Sequence, residues 1–314
     1  MTALSHEPPR VRLDCVAAVD GLASVLERAA AALADARQIR LARPGEPADV
    51  VHTVGEAGPG RAAGRARRVH TVDRVLLDRR GLAAAAGWVH RQRRFTRGAE
   101  TWLVHGRTAA RVLVASGVVD GARLHELPVV APPPGRAAAD RDRSSVRARL
   151  GIAPGVALVV GCERGPGLSV PGWADSIRAL HRTDVRVIHH GTGGPVTFEE
   201  LLVAADLFVA AGLGLTACNP GAAAVAAGIP LIAATSDSAA ELLRFGRTGL
   251  VVPPHPAAIA AAVQAVLDGA LPRRDRRPPA SAADAQLPAL ARGLLGAYHR
   301  ALGTPRAPVA WSGS

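Results

Sequence analysis

Ala205-Asp206-Leu207-Phe208-Val209-Ala210-Ala211-Gly212-Leu213-Gly214-Leu215-Thr216-Ala217-Cys218-Asn219-Pro220 decides the fold. It reads as a strand running through a glycine-rich loop into a helix, with Asn219 suited to the N-cap and Pro220 to the first helical position. The same grammar recurs on both sides. Strands are expected at Ala157 to Gly161, Val185 to His189, Asp206 to Ala210, Leu231 to Ala234 and Leu250 to Val252. Helices are expected near Gly172 to His181, after Thr197, after Pro220, from Ser238 and over Pro256 to Asp268, where Ile259, Val263 and Val266 form a stripe that Gly269 ends. Thr197-Phe198-Glu199-Glu200 and Ser238-Ala239-Ala240-Glu241 both match a capping box.

Working outward, the first half alternates in the same way. Its strands are expected at Val11 to Ala18, Asp49 to Thr53, Arg68 to Val72, Thr101 to His105 and Glu126 to Val130. Its helices are expected near Leu22 to Ala34, Leu82 to Phe95 and Thr108 to Ser116. Such alternation predicts parallel α/β layers. Pro132-Pro133-Pro134-Gly135 and the polar stretch after it read as a linker, which places a domain boundary near residue 150. The expected division is a first domain over 1–150, a second over 151–284, a closing helix over 285–303 (Leu287 to Leu302, despite Pro288), and a disordered tail over 304–314.

The 314 residues, 48% hydrophobic and 20% charged, suffice for two domains with separate cores. Net charge is +12, and every basic residue is arginine, so basicity partly reflects codon bias. The excess is uneven: Arg61 to Arg97 holds eleven arginines against Asp73 and Asp78. That face suits an anionic substrate or membrane surface. Aromatics at 3% and the lack of a zinc-finger or aromatic-interleaved basic motif argue against nucleic acid. Cys15, Cys162 and Cys218 are too scattered for a disulfide framework or a metal site. No leader or membrane-spanning run is readable, and the expected location is the cytoplasm, with peripheral contact at the inner membrane surface as an option.

Ligands of open α/β sheets bind at the carboxyl ends of strands. That directs attention to Gly161 and Arg164 after one strand, His190 in the glycine-rich run His189 to Pro195, and the loop Gly214-Leu215-Thr216 with Asn219. Loop amides at the positive end of a helix dipole suit a phosphate, although glycines also mark ordinary turns. Arg164 can fork onto a diphosphate or belong to a surface pair with Glu163. Glu241 either meets the ligand or satisfies local backbone. In the first half Asp73, at a strand end, can orient or deprotonate an acceptor hydroxyl or cap a turn. His52 and His105 also sit near strand ends, where a lone histidine is more often structural. No metal is expected.

The runs Ala205-Asp206-Leu207-Phe208-Val209, Ala226 to Ala233 (with Gly228-Ile229-Pro230) and Ala240-Glu241-Leu242-Leu243-Arg244-Phe245-Gly246-Arg247-Thr248-Gly249-Leu250-Val251-Val252-Pro253-Pro254 resemble the nucleotide-sugar-dependent glycosyltransferases of family 4. Phe95 to Thr101, Arg111-Val112-Leu113 and Pro128 to Pro134 resemble that family's first domain and linker. The resemblance implies the GT-B fold, two Rossmann-like domains facing across a cleft, here with a shortened C-domain. It also implies a final helix returning to the first domain, a nucleotide diphosphate-sugar as co-substrate, no other cofactor, no metal, and retention of anomeric configuration.

The chain departs from the family pattern at several points. The family's E-x7-E positions carry Leu215 and Ala223, and its arginine and lysine after the first C-domain strand fall on Cys162 and Gly167. The acceptor-side histidine corresponds to Asp73, and most of one strand-helix unit is missing between Ile188 and Phe198. The expected activity is sugar transfer. Asp73 and His190 are its catalytic candidates, and Gly161, Arg164, Gly214, Leu215, Thr216, Asn219 and Glu241 its donor-binding candidates. Arg91, Arg94 and Arg97 are candidates for an acceptor or membrane surface. The alternative is a catalytically inactive GT-B-like scaffold that partners another protein through its basic face.

Overall fold

The computed structural model describes residues 7–15, 22–55, 65–72, 74–76, 90, 98–131, 142–162, 169–190, 196–216, 219–244, 249–269 and 282–303. The helix expected over 82–95, the 132–141 part of the linker and the 304–314 tail fall outside them, apart from His90. Contacts divide the chain into two units: Met1–Arg74, Arg80–Pro128 and Ala285–Ser314 in the first, and Val75–Arg79 with Val129–Asp284 in the second.

The first unit is built on six parallel strands: β1 (Arg10–Asp14), β2 (Arg40–Leu41), β3 (Val50–Val54), β4 (Arg67–Val72), β6 (Thr101–His105) and β7 (Leu124–Leu127). Their order is β2-β1-β3-β4-β6-β7. Both β3 and β6 are buried at every position, as strands are when helices cover both faces of a parallel sheet. Helix α1 (Leu22–Asp35) supplies Leu22, Val25, Leu26, Ala29, Ala30 and Leu33, one apolar stripe at helical spacing. Helix α2 (Arg107–Ala115) packs Ala109 and Leu113.

Strand β7 starts two residues before the expected Glu126 and ends three before the expected Val130, its end set by Pro128, which has no N–H with which to extend the ladder. β1 ends at Asp14, and residues 16–18 of the expected strand lie outside the described residues.

The last helix, α8 (Ala282–Leu302), begins before the expected Leu287 and belongs to the first unit from Ala285 onward. It lies close enough to β7 that a Cβ on Gly293 would stand 2.4 Å from Leu127 Cδ2. Its Leu290, Leu294 and Tyr298 are fully buried.

The second unit has a five-stranded parallel sheet: β8 (Ala157–Cys162), β9 (Val185–His190), β10 (Leu207–Ala210), β12 (Leu231–Ala234) and β13 (Gly249–Val252). The order is β13-β12-β10-β8-β9. One core packs Leu158, Val160, Phe208, Leu231 and Ala233 with Val146 of α3 (Arg143–Arg149), Leu201 of α5 (Phe198–Ala204) and Ala224 of α6 (Pro220–Ala226). The intervening residues Val159, Val209 and Ile232 turn to the opposite core, with Trp173 and Ile177 of α4 (Trp173–Arg178) and Ile259 and Val263 of α7 (Pro256–Leu267). This period-two division explains why the strands read as unbroken apolar runs. Helix α3 lies with this unit, on the early side of the expected boundary near 150.

From β8 the chain moves to β9 on one side and later to β10 on the other, so β8 and β10 flank the topological switch point. Gly161 and the Gly212 loop lie at its carboxyl end.

Candidate functional site

Three consecutive residues after β12 hold the glycine loop. Ser236 Oγ donates to Gly212 O at 2.7 Å, and Ser238 Oγ donates to Thr216 O at 3.1 Å. Asp237 Oδ2 accepts from the Gly212 amide at 2.9 Å, while its Oδ1 accepts from Asn219 Nδ2 at 2.7 Å and the Ala239 amide at 2.8 Å. Asn219 also donates to Ser238 Oγ at 2.6 Å and, as N-cap of α6, accepts from the Gly221 amide at 2.7 Å. Asp237, Ser238 and Asn219 are all buried, so these bonds satisfy groups that would otherwise be costly to desolvate.

Two expectations change here. Gly214–Thr216 is not an open turn but a short strand, β11, forming a two-stranded sheet with β5 (Arg74–Leu76). Leu215 and Thr216 are buried and Gly214 is half-buried. Nor does Ser238 head a capping box. Asp237 accepts from Ala239, and Ser238 is turned to Thr216, because the buried loop carbonyl offers the hydroxyl a partner. Glu241 lies half-buried in the 3-10 helix Ser238–Arg244. The Thr197–Glu200 capping box forms as expected.

Gly161 carries no side chain because Trp173 lies over it: an added Cβ would stand 2.4 Å from the indole and 3.1 Å from Val209 O. The indole stacks on His189, with centroids 4.6 Å apart and planes at 5°. Ser169, Gly172, Trp173, Asp175 and His189 line a cavity of about 250 Å³ beside the strand ends. Ser169 bridges Gly212, and its Oγ is buried with no hydrogen-bond partner among the described residues. Gly161→Ala is expected to displace the indole and cost about 1–3 kcal/mol. Urea unfolding measures the loss, and near-ultraviolet dichroism reports the disturbed stack.

His190 ends β9 half-buried, tilted against Phe198 with centroids 5.5 Å apart. Burial lowers its pKa and Glu199 partly opposes the shift, which favours a neutral imidazole able to donate and accept. The described residues contain no group of three or more metal-ligating side chains. Asp73, Arg91, Arg94, Arg97 and Arg164 lie outside them.

The first unit holds a polar cluster that the sequence only hinted at. His52 Nδ1 pairs with Tyr298 Oη at 3.0 Å and its Nε2 with Thr71 Oγ1 at 2.7 Å. His70 Nδ1 meets Thr53 Oγ1 at 2.8 Å and its ring packs edge-on to Trp102. His105 Nδ1 donates to Pro128 O at 2.5 Å, leaving a buried Nε2 with no hydrogen-bond partner among the described residues. Burial pushes these pKa values down to about 3 for His52, where His70 and His105 add to the effect, and to about 4 for His70 and His105. All three are neutral packing groups at pH 7, in keeping with the structural reading of His52 and His105. Cys15, its thiol raised to about 11 by burial and by Glu27 and Asp14, is not a ready nucleophile.

Two parallel-sheet Rossmann-like units define the GT-B fold class, and comparisons agree. A glycosyltransferase from Rickettsia africae aligns over 95% of this chain and 99% of its own, with TM-score 0.61 and 12% identity. Sucrose-phosphate synthase from Thermosynechococcus elongatus aligns over 94% of each chain, with TM-score 0.60 and 14% identity. HepE of Anabaena in complex with UDP and glucose covers 94% of this chain and 96% of its own, with TM-score 0.53 and 12% identity. Residues 156–269 match the family model for glycosyl transferases group 1. Comparison with curated proteins gives no match. No helix among the described residues is long and apolar enough to cross a membrane.

Proposed function

We propose that the protein transfers a sugar from a nucleotide diphosphate-sugar to an acceptor, with retention of configuration. The observation that carries this reading is the coincidence of the group 1 match over 156–269 with a glycine loop fixed at the switch point. The neighbour solved with UDP and glucose supports a donor of that kind. Arg164 and His190 neutralise the leaving diphosphate, and Asp73 orients the acceptor hydroxyl. Arg91, Arg94 and Arg97 contact an anionic acceptor or a membrane surface on the cytoplasmic side. No metal or further cofactor is required.

A second reading, an inactive scaffold, draws on the buried Leu215 and the small Ala223 where the resemblance leads one to expect carboxylates. Calorimetric titration with a panel of nucleoside diphosphates and nucleotide-sugars separates the two. Binding of one nucleotide-sugar, weakened by Gly214→Trp and by Arg164→Ala, is the expected result. Silence across the panel sinks the transferase reading in favour of the scaffold.

A further inference from the structure

Asp237 is only 5% exposed, and both its oxygens are engaged by the protein: Oδ2 by the Gly212 amide, and Oδ1 by Asn219 Nδ2 and the Ala239 amide. Its acceptor capacity is therefore turned inward, toward the loop. No side chain fits between them, since a Cβ on Gly212 would stand 2.2 Å from Oδ2. The flanking serines take Gly212 O and Thr216 O, so one turn fixes the loop at its first and last residues. Pairing with β5 holds Gly214–Thr216 from one side, but without the turn's bonds the glycine-bearing Gly212–Leu213 end regains freedom that it loses when the loop binds. A loop held in one shape beforehand binds without that loss.

We propose that Asp237 is a positioning residue for donor binding, with Ser236 and Ser238 as its auxiliaries: it never touches the ligand but sets the shape of Gly212–Thr216 that receives the nucleotide-sugar. The proposal rests on the donor-site reading above. It assigns a role to a carboxylate that lies outside the 207–236 stretch in which the sequence offers no acidic residue.

The test uses the full chain and its Asp237→Asn, Ser236→Ala and Leu201→Ala variants. Leu201 is buried on α5, away from the loop, so its truncation costs stability without touching the clamp. Each variant is titrated with the nucleotide diphosphates and nucleotide-sugars of the panel at a temperature where circular dichroism shows it folded, and amide exchange is followed over 212–216. Asp237→Asn is expected to weaken the bound nucleotide-sugar about tenfold or more, with faster exchange over 212–216. Ser236→Ala is expected to weaken it less, and Leu201→Ala to leave affinity and loop exchange unchanged.

Wild-type affinity in folded Asp237→Asn, or an equal loss in Leu201→Ala, overturns the proposal and leaves Asp237 a structural cap. Should Asp237→Asn not fold, Ser236→Ala decides by the same criteria. If the wild-type chain binds no member of the panel, the donor-site reading falls and this proposal with it. Exchange at 212–216 still shows separately whether Asp237 holds the loop.

Discussion

Acidification from pH 7 to pH 4.5 is expected to strip the first unit of several kcal/mol of stability, enough to unfold it before the second. His52, His70 and His105 stay neutral in the folded state down to about pH 3–4, against an ordinary value of 6.5. Between those limits the unfolded chain binds protons that the folded chain refuses, so stability is complete above about pH 6.5 and falls as pH falls through the window. At pH 4.5 each histidine accounts for about 2–3 kcal/mol, and three together rival the whole stability of an ordinary domain. Scanning calorimetry in half-unit pH steps is the measurement. The expected profile is a transition whose midpoint drops steeply below pH 6.5, with proton uptake on unfolding approaching three near pH 5. His105→Gln should reduce that uptake by about one proton. A flat profile down to pH 5 sinks the argument.

Asp206→Ala is expected to destabilise the second unit by about 2–4 kcal/mol. One carboxylate accepts from Arg143 Nη2 at 2.8 Å, Arg147 Nη1 at 3.0 Å and the Leu158 amide at 2.8 Å. It joins helix α3 to the starts of β8 and β10, while the same arginines donate to Ala205 O and Ala204 O. Removing it leaves two guanidinium groups and a strand amide short of an acceptor. The side chain is 29% exposed, so water replaces part of the loss and the upper end of the range for fully buried pairs is not reached. Urea unfolding should show a lower midpoint for the second unit alone, and a change within 0.5 kcal/mol would show that solvent substitutes fully for the carboxylate.

The strands that were legible in the sequence are those whose apolar runs face two cores, as Ala157–Cys162 and Leu231–Ala234 do. Periodicity carries that information because burial sets it locally. Strand β11 was not legible: three residues pair with β5, far away in sequence, and neither segment has a pattern of its own. Asp237 escaped for a related reason. Nothing local marks it, since only the folded chain brings the Gly212 amide and Asn219 Nδ2 to its carboxylate. Asn219 and Thr197, whose partners lie within three residues, were readable as caps from sequence alone. His70 gave no signal, since its Thr53 and Trp102 partners sit on neighbouring strands.

The placement of α8 in the first unit has a consequence for synthesis on the ribosome. The second unit lies mainly in Val129–Asp284, and its five-stranded sheet is complete in sequence at Val252, before Tyr298, which bonds His52, is made. Domains ordinarily complete themselves in the order they emerge. Here the first sheet waits with its α8 face uncovered until residues 285–302 are made, so a unit begun early is completed by a segment synthesised after the second unit's sheet.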